Sequence, residues 1–157
     1  MLMSELRTPE RKLAYMWMLE LLTVSAILST VFVIFNPLEG ILTGSVYLVP
    51  GFFVLLGSVY TFLRYSAWGF EVRDDHLYLE YGVFTKVKTM VPFVRIQHVD
   101  TQRNALERVF GISMVVVYTA GTRGSDVKVK GLVPGEADSM QEKLRDVAIE
   151  SEDRDAV

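Results

Sequence analysis

Cysteine is absent from the 157 residues and histidine is scarce, with only His76 and His98. No disulfide framework, thiolate nucleophile or cysteine-based zinc or iron–sulfur centre is therefore available, which excludes thiol redox chemistry and cysteine catalysis. A basic excess is also missing. Sixteen lysines and arginines face 19 aspartates and glutamates, a formal net charge of −3, the wrong sign for a general nucleic-acid binder. No Gly-x-Ser-x-Gly elbow presents a serine nucleophile, and the glycine-containing run at 120–125 joins two strand-like segments instead of opening a helix, so it is no phosphate loop. What the chain has in quantity is apolar surface. Half of its residues are hydrophobic and the mean hydropathy is +0.28 beside 22% charged residues, so the two kinds must be segregated along the chain.

The segregation is plain. Residues 13–35 carry one charge, Glu20, and residues 40–63 carry none. Each run exceeds the ~20 residues that cross ~30 Å of hydrocarbon as a helix, and the first exceeds a secretory h-region of about 7–15 residues. Both read as membrane spans, 13–35 and 41–63. The tetrad Asn36, Pro37, Leu38 and Glu39 makes a tight turn between them, so the spans form an antiparallel hairpin. Arg7, Arg11 and Lys12 precede the first span and Arg64 and Arg73 follow the second, which places both termini in the cytoplasm. Tyr15, Trp17, Tyr60, Tyr65 and Trp68 suit an aromatic belt at that interface. Gly44, Gly51 and Ser58, seven apart, offer a small-residue stripe for close helix contact, and Pro50 is set to kink the second span. Glu20 lies about two turns from the inner end, where it snorkels, pairs with Arg64 or stays protonated.

The remaining 94 residues hold 13 basic and 15 acidic side chains in short β-type runs. Strands are predicted at 68–73, 76–81, 85–91, 96–101, 112–119 and 127–132, with a helical turn at 104–110. After Pro134, Ala137, Met140, Leu144, Val147 and Ala148 fall at helical spacing, and the acidic residues after Glu150 show no apolar period and read as a frayed tail. The organisation predicted is a cytoplasmic segment 1–12, a helical hairpin 13–63, a β-rich domain 64–150 and an acidic tail 151–157. The fold class is a two-helix transmembrane hairpin followed by an α+β domain, an antiparallel β-sandwich or barrel capped by a C-terminal helix.

Several strands and then one amphipathic helix is the order of a pleckstrin-homology domain. The run from Val91-Pro92 through Arg95-Ile96-Gln97-His98, then Gln102, Leu106, Arg108, Phe110-Gly111-Ile112 and Thr119-Ala120-Gly121, resembles the bacterial PH-domain membrane proteins of the YdbS/YdbT type. Two spans just before the module fit that resemblance. It implies a membrane-anchored PH-like fold and assigns no activity. Thr89, Met90 and Val91 stand where relatives often carry a basic residue, and this chain has one PH copy where some relatives have several.

Chemistry for catalysis is thin. His98 has Asp100 on its own strand face, and Asp74-Asp75-His76 reads as turn chemistry before a strand more readily than as a metal site. No enzyme, no metal and no cofactor is expected. Basic side chains give a better case: Lys86 and Lys88 share one strand face, Lys128 and Lys130 another, and Arg123 sits in the hairpin between strands, with Val83-Phe84 at a further hairpin tip. Arg95, with Gln97, and Arg108 either hydrogen-bond crossing loops or meet a headgroup or partner. The function expected is a non-enzymatic module that binds anionic membrane lipids or a protein partner at the inner membrane surface, with no nucleic acid involved. The alternative is an assembly subunit that forms a homo-oligomer or scaffolds a neighbouring membrane protein.

Overall fold

The computed structural model describes residues 6–35, 44–120 and 126–155. The predicted turn at 36–39 and the 121–125 hairpin, with Arg123, lie outside them. Two long helices come first, α1 (Arg11–Phe35) and α2 (Ser45–Ser66). Strands β1 (Gly69–Val72), β2 (His76–Tyr81) and β3 (Val87–Pro92) form one antiparallel sheet in that order. A 3-10 turn (Phe93–Arg95) leads to β4 (Ile96–Gln102), α3 (Ala105–Phe110), β5 (Ser113–Thr119) and β6 (Val127–Leu132), and β4–β5–β6 form the second antiparallel sheet. Helix α4 (Pro134–Asp155) closes the fold. The two sheets remain separate and make a sandwich, so the closed-barrel form of the expectation does not apply.

Strand alternation explains the core. Leu77 and Leu79 of β2 and Val91 of β3 face inward from one sheet; Val99, Val115, Val117 and Val129 face inward from the other. Helix α4 lays Ala137 and Leu144 on this core, with Met140, Val147 and Ala148 half-buried at its margin. Gln141 fixes the helix to β4, donating from Nε2 to the Val99 carbonyl at 2.7 Å and accepting from the Thr101 hydroxyl at 3.0 Å. The helix runs on to Asp155, through the segment read as a frayed tail.

Helix α1 does two jobs. Its first turns present Leu13, Met16 and Trp17 at spacings of three and four, and all three are buried in the sandwich core. At about 1.5–3 kcal/mol for each large apolar side chain removed from water, this docking contributes roughly 5–9 kcal/mol before the entropy of ordering is charged against it. From Leu19 onward most of its large apolar residues are exposed, among them Leu22, Val24, Ile27, Leu28, Val31, Ile34 and Phe35, while Leu21, Phe32 and Val33 are half-buried. Residues 19–35 span about 25 Å at ~1.5 Å per residue, so the exposed stretch is near the lower limit for crossing a bilayer. Glu20 stands at the start of that stretch and is exposed. The first turns of α1, which the predicted hairpin 13–63 includes, are thus packed on the folded domain.

The chain before α1 is tied down as well. Arg7 pairs with Phe70 through two backbone hydrogen bonds of 2.9 and 3.1 Å, the Glu10 N–H donates to the Gly131 carbonyl at 2.8 Å, and the Tyr65 hydroxyl donates to the Pro9 carbonyl at 2.7 Å. Gly131 lies directly under α1 with φ +74°; a Cβ there would lie 2.9 Å from both Leu13 Cδ2 and Pro9 Cβ.

The helix pair uses small residues, though not the predicted set. A Cβ on Gly57 would lie 2.4 Å from Leu21 Cδ1, whereas one on Gly51 or Gly44 would meet nothing within 4 Å. The contacting stripe of α2 is Val54, Gly57, Ser58 and Thr61, helical spacing around the one predicted member, Ser58, whose hydroxyl reaches Met18 Sδ at 3.5 Å.

Candidate functional site at the foot of the helices

A cavity of about 510 Å³ opens where α1 and α2 enter the sandwich, between the β2–β3 hairpin and β6. Helix spacing builds one wall. Tyr60 and Arg64 are four residues apart on α2 and share a face, and Trp68 follows the helix end. Trp17 supplies a second wall, and the Arg64 guanidinium lies 3.9 Å above its ring centroid, a contact that pins an otherwise flexible cation. Tyr81 closes the hairpin side, edge-on to Trp68 with centroids 6.0 Å apart. The exposed Phe84 at the hairpin tip stacks on Tyr60 at 6.1 Å, which brings this loop level with the spanning helix.

Strand β6 supplies the remaining charge. Lys128 and Lys130, two apart on one face, both line the cavity, and register sets Lys128 opposite Val116 and Lys130 opposite Met114. Lys130 is half-buried, and neither lysine nor Arg64 has an acidic partner within ion-pair distance among the described residues. Burial first, and then the Arg64 and Lys128 charges, hold the Lys130 ammonium below the usual lysine range, against the weaker opposite pull of Glu107 and Glu20. The wall holds one acid among the described residues, Asp126. Three cations thus gather around aromatic walls that carry one carboxylate, with Glu107 and Glu20 acting on Lys130 from outside the lining, a combination suited to an anionic ligand.

The other predicted basic residues separate. Lys86 and Lys88 both reach Glu80, at 3.4 and 3.7 Å, so that carboxylate answers the pair. Their charges, with the Tyr78 hydroxyl bond, hold Glu80 below its ordinary range although desolvation, the largest single influence, acts to raise it. Arg95 is exposed on the 3-10 turn, where its carbonyl accepts the Ala120 N–H at 2.9 Å; Arg108 is exposed, and its carbonyl accepts the Gly111 N–H at 3.2 Å. The first bond ties the turn to the end of β5 and the second caps α3, and neither guanidinium makes a hydrogen bond among the described residues. Arg64 is the functional candidate that sequence reasoning missed, read only as a topology signal or a partner for Glu20. Trp17 and Trp68, assigned to an aromatic belt, are buried at 7% exposure each and frame the site. The histidines stand apart: His76 Nδ1 faces Asp75 Oδ1, and His98 Nε2 is 2.6 Å from Asp100 Oδ1.

The sequence is matched by comparison with known proteins. The sequence profile described as the bacterial PH domain covers residues 16–148, taking in both long helices as well as the sandwich. The chain belongs to the bacterial PH domain family. This PH protein is 31% identical over 104 residues to the UPF0699 transmembrane protein YdbS of Bacillus subtilis (strain 168), an alignment covering 63% of this chain and 64% of that protein. It therefore spans a little under two thirds of that relative's length. No solved structure matches it. A transmembrane relative and two helices long and apolar enough to cross a bilayer, with mean hydropathies of 2.2 and 1.4, make this a YdbS-like membrane protein.

Proposed function

We propose that this PH protein is a non-enzymatic, two-span module with both termini in the cytoplasm, whose sandwich binds anionic lipid headgroups of the inner leaflet. The observation that carries the reading is the gathering of Arg64, Lys128 and Lys130, without an ion-pair partner among the described residues, at the end of the sandwich from which the spanning helices leave. Docking of Leu13, Met16 and Trp17 into the core supports it, because a module rigidly joined to its anchor holds those cations at headgroup level continuously. Each basic side chain near an anionic surface contributes about 1 kcal/mol, and tethering turns that modest attraction into near-constant occupancy.

The test is lipid analysis of the full-length protein extracted in mild detergent. Anionic lipids enriched over their share of the source membrane support the reading, and a co-purified lipid pool of bulk composition contradicts it.

A further inference from the structure

We propose that the cavity at the foot of the helices is a site for one phosphomonoester dianion, held by Arg64, Lys128 and Lys130 and presented by an anionic lipid. The inference deepens the headgroup reading above and rests on it.

Charge count comes first. Three cations and one carboxylate, Asp126, leave the lining itself with a net charge of +2, with Glu107 and Glu20 acting more weakly on Lys130 from outside it; that balance suits a phosphate group carrying two negative charges better than a singly charged phosphodiester. Geometry comes second. With its Cζ 3.9 Å above the Trp17 ring centroid and no ion-pair partner among the described residues, the Arg64 guanidinium has N–H donors for a forked contact to two phosphate oxygens, while Lys128 and Lys130 act as point charges from the facing strand. The third argument is the state of Lys130. A half-buried ammonium beside two like charges is unfavourable in an empty cavity, and an anion among the three reverses the balance. The Lys86 and Lys88 pair carries a smaller excess, one positive charge, because both lysines already reach Glu80.

Access fits a lipid. Tyr60 is on the spanning stretch and forms part of the wall, and Phe84 stacks on it, so the mouth lies level with the headgroups and is flanked by amphipathic rings suited to the glycerol region. A free phosphate has the same chemistry, so the two sources are separated by experiment.

The chain's two tryptophans, Trp17 and Trp68, both line the cavity and make intrinsic fluorescence a local reporter. Full-length protein in phosphatidylcholine nanodiscs is titrated by doping with phosphatidic acid, by doping with phosphatidylglycerol, and by adding inorganic phosphate to the surrounding buffer. A saturable change with phosphatidic acid, at least tenfold weaker with phosphatidylglycerol, is expected. Lys128→Gln and Lys130→Gln each weaken it tenfold or more, Lys130→Arg restores most of it, and the double variant Lys86→Gln/Lys88→Gln leaves it unchanged. A response to inorganic phosphate that reaches the same end point and is lost in Lys130→Gln supports the site but assigns a soluble phosphate as its source. No saturable response to either source, or responses untouched by Lys128→Gln and Lys130→Gln, overturns the proposal. If anionic lipids still co-purify with the protein in that event, the headgroup reading survives and only the cavity falls; if they do not, both fall.

Discussion

Substituting alanine at Gly131 probes the rigid joint between anchor and sandwich. The residue has φ +74°, a left-handed backbone that costs an alanine about 1–2 kcal/mol. Its new Cβ would sit 2.9 Å from Leu13 Cδ2 and Pro9 Cβ and 3.2 Å from Leu13 Cβ, overpacking that adds about 1–3 kcal/mol. The expected loss is thus about 2–5 kcal/mol, concentrated where α1 enters the core, with the Glu10–Gly131 backbone hydrogen bond as its first casualty. Denaturation in one fixed detergent, followed through Trp17 and Trp68, measures it, since both report on this region. A double-mutant cycle separates the two causes. In a Leu13→Ala background the contact with Leu13 Cδ2 is removed while those with Pro9 Cβ and the Cβ at position 13 remain, so Gly131→Ala should cost less than in the parent but more than its backbone share of about 1–2 kcal/mol. A Gly131→Ala protein within about 0.5 kcal/mol of the parent, or costs at the two positions that simply add, would refute the view that α1 is seated on β6.

Lys130→Met should raise stability in a denaturant titration while weakening anion binding tenfold or more, because it removes a charge that burial disfavours. The same depressed pKa makes the parent gain stability as pH rises through the folded value toward 10.5, where the unfolded chain holds the extra proton; the methionine variant should lack that rise. In the helix pair, Gly57→Leu should cost about 1–3 kcal/mol in thermal stability measured in detergent, and Gly51→Leu should be tolerated. Asp75 is held below its usual 3.8, first by its bond to His76, against a smaller opposing effect of burial. Its contribution to stability is therefore present above pH 3.8 and lost as pH falls below that value through the folded pKa. Asp75→Asn should flatten the acid limb of the stability profile in that window.

The strands were legible because alternation is a local signal. His76–Tyr81 and Val127–Leu132 stand where the sequence put them, and Leu77 and Leu79 point inward as their parity requires. The base of α1 was hidden for an equally physical reason: the stripe of Leu13, Met16 and Trp17 is embedded in a run apolar on every side, so nothing in the sequence distinguishes a protein-facing turn from a lipid-facing one. Neutralisation of Lys88 by Glu80 follows from hairpin register, since the two are directly paired, and was within reach of sequence reasoning. The cavity was only half legible. Lys128 with Lys130, and Tyr60 with Arg64, each declare a shared face, but their meeting depends on how α2 and β6 come together in the folded chain.

The most direct test of the central claim, a sandwich fixed to the inner face of the membrane by its two helices, exploits the absence of cysteine. Lys143→Cys places a single thiol on the exposed side of α4, and a membrane-impermeant maleimide is applied to sealed vesicles of each orientation. The account predicts labelling of inside-out vesicles and none of right-side-out vesicles until they are lysed; prompt labelling of intact right-side-out vesicles would contradict it.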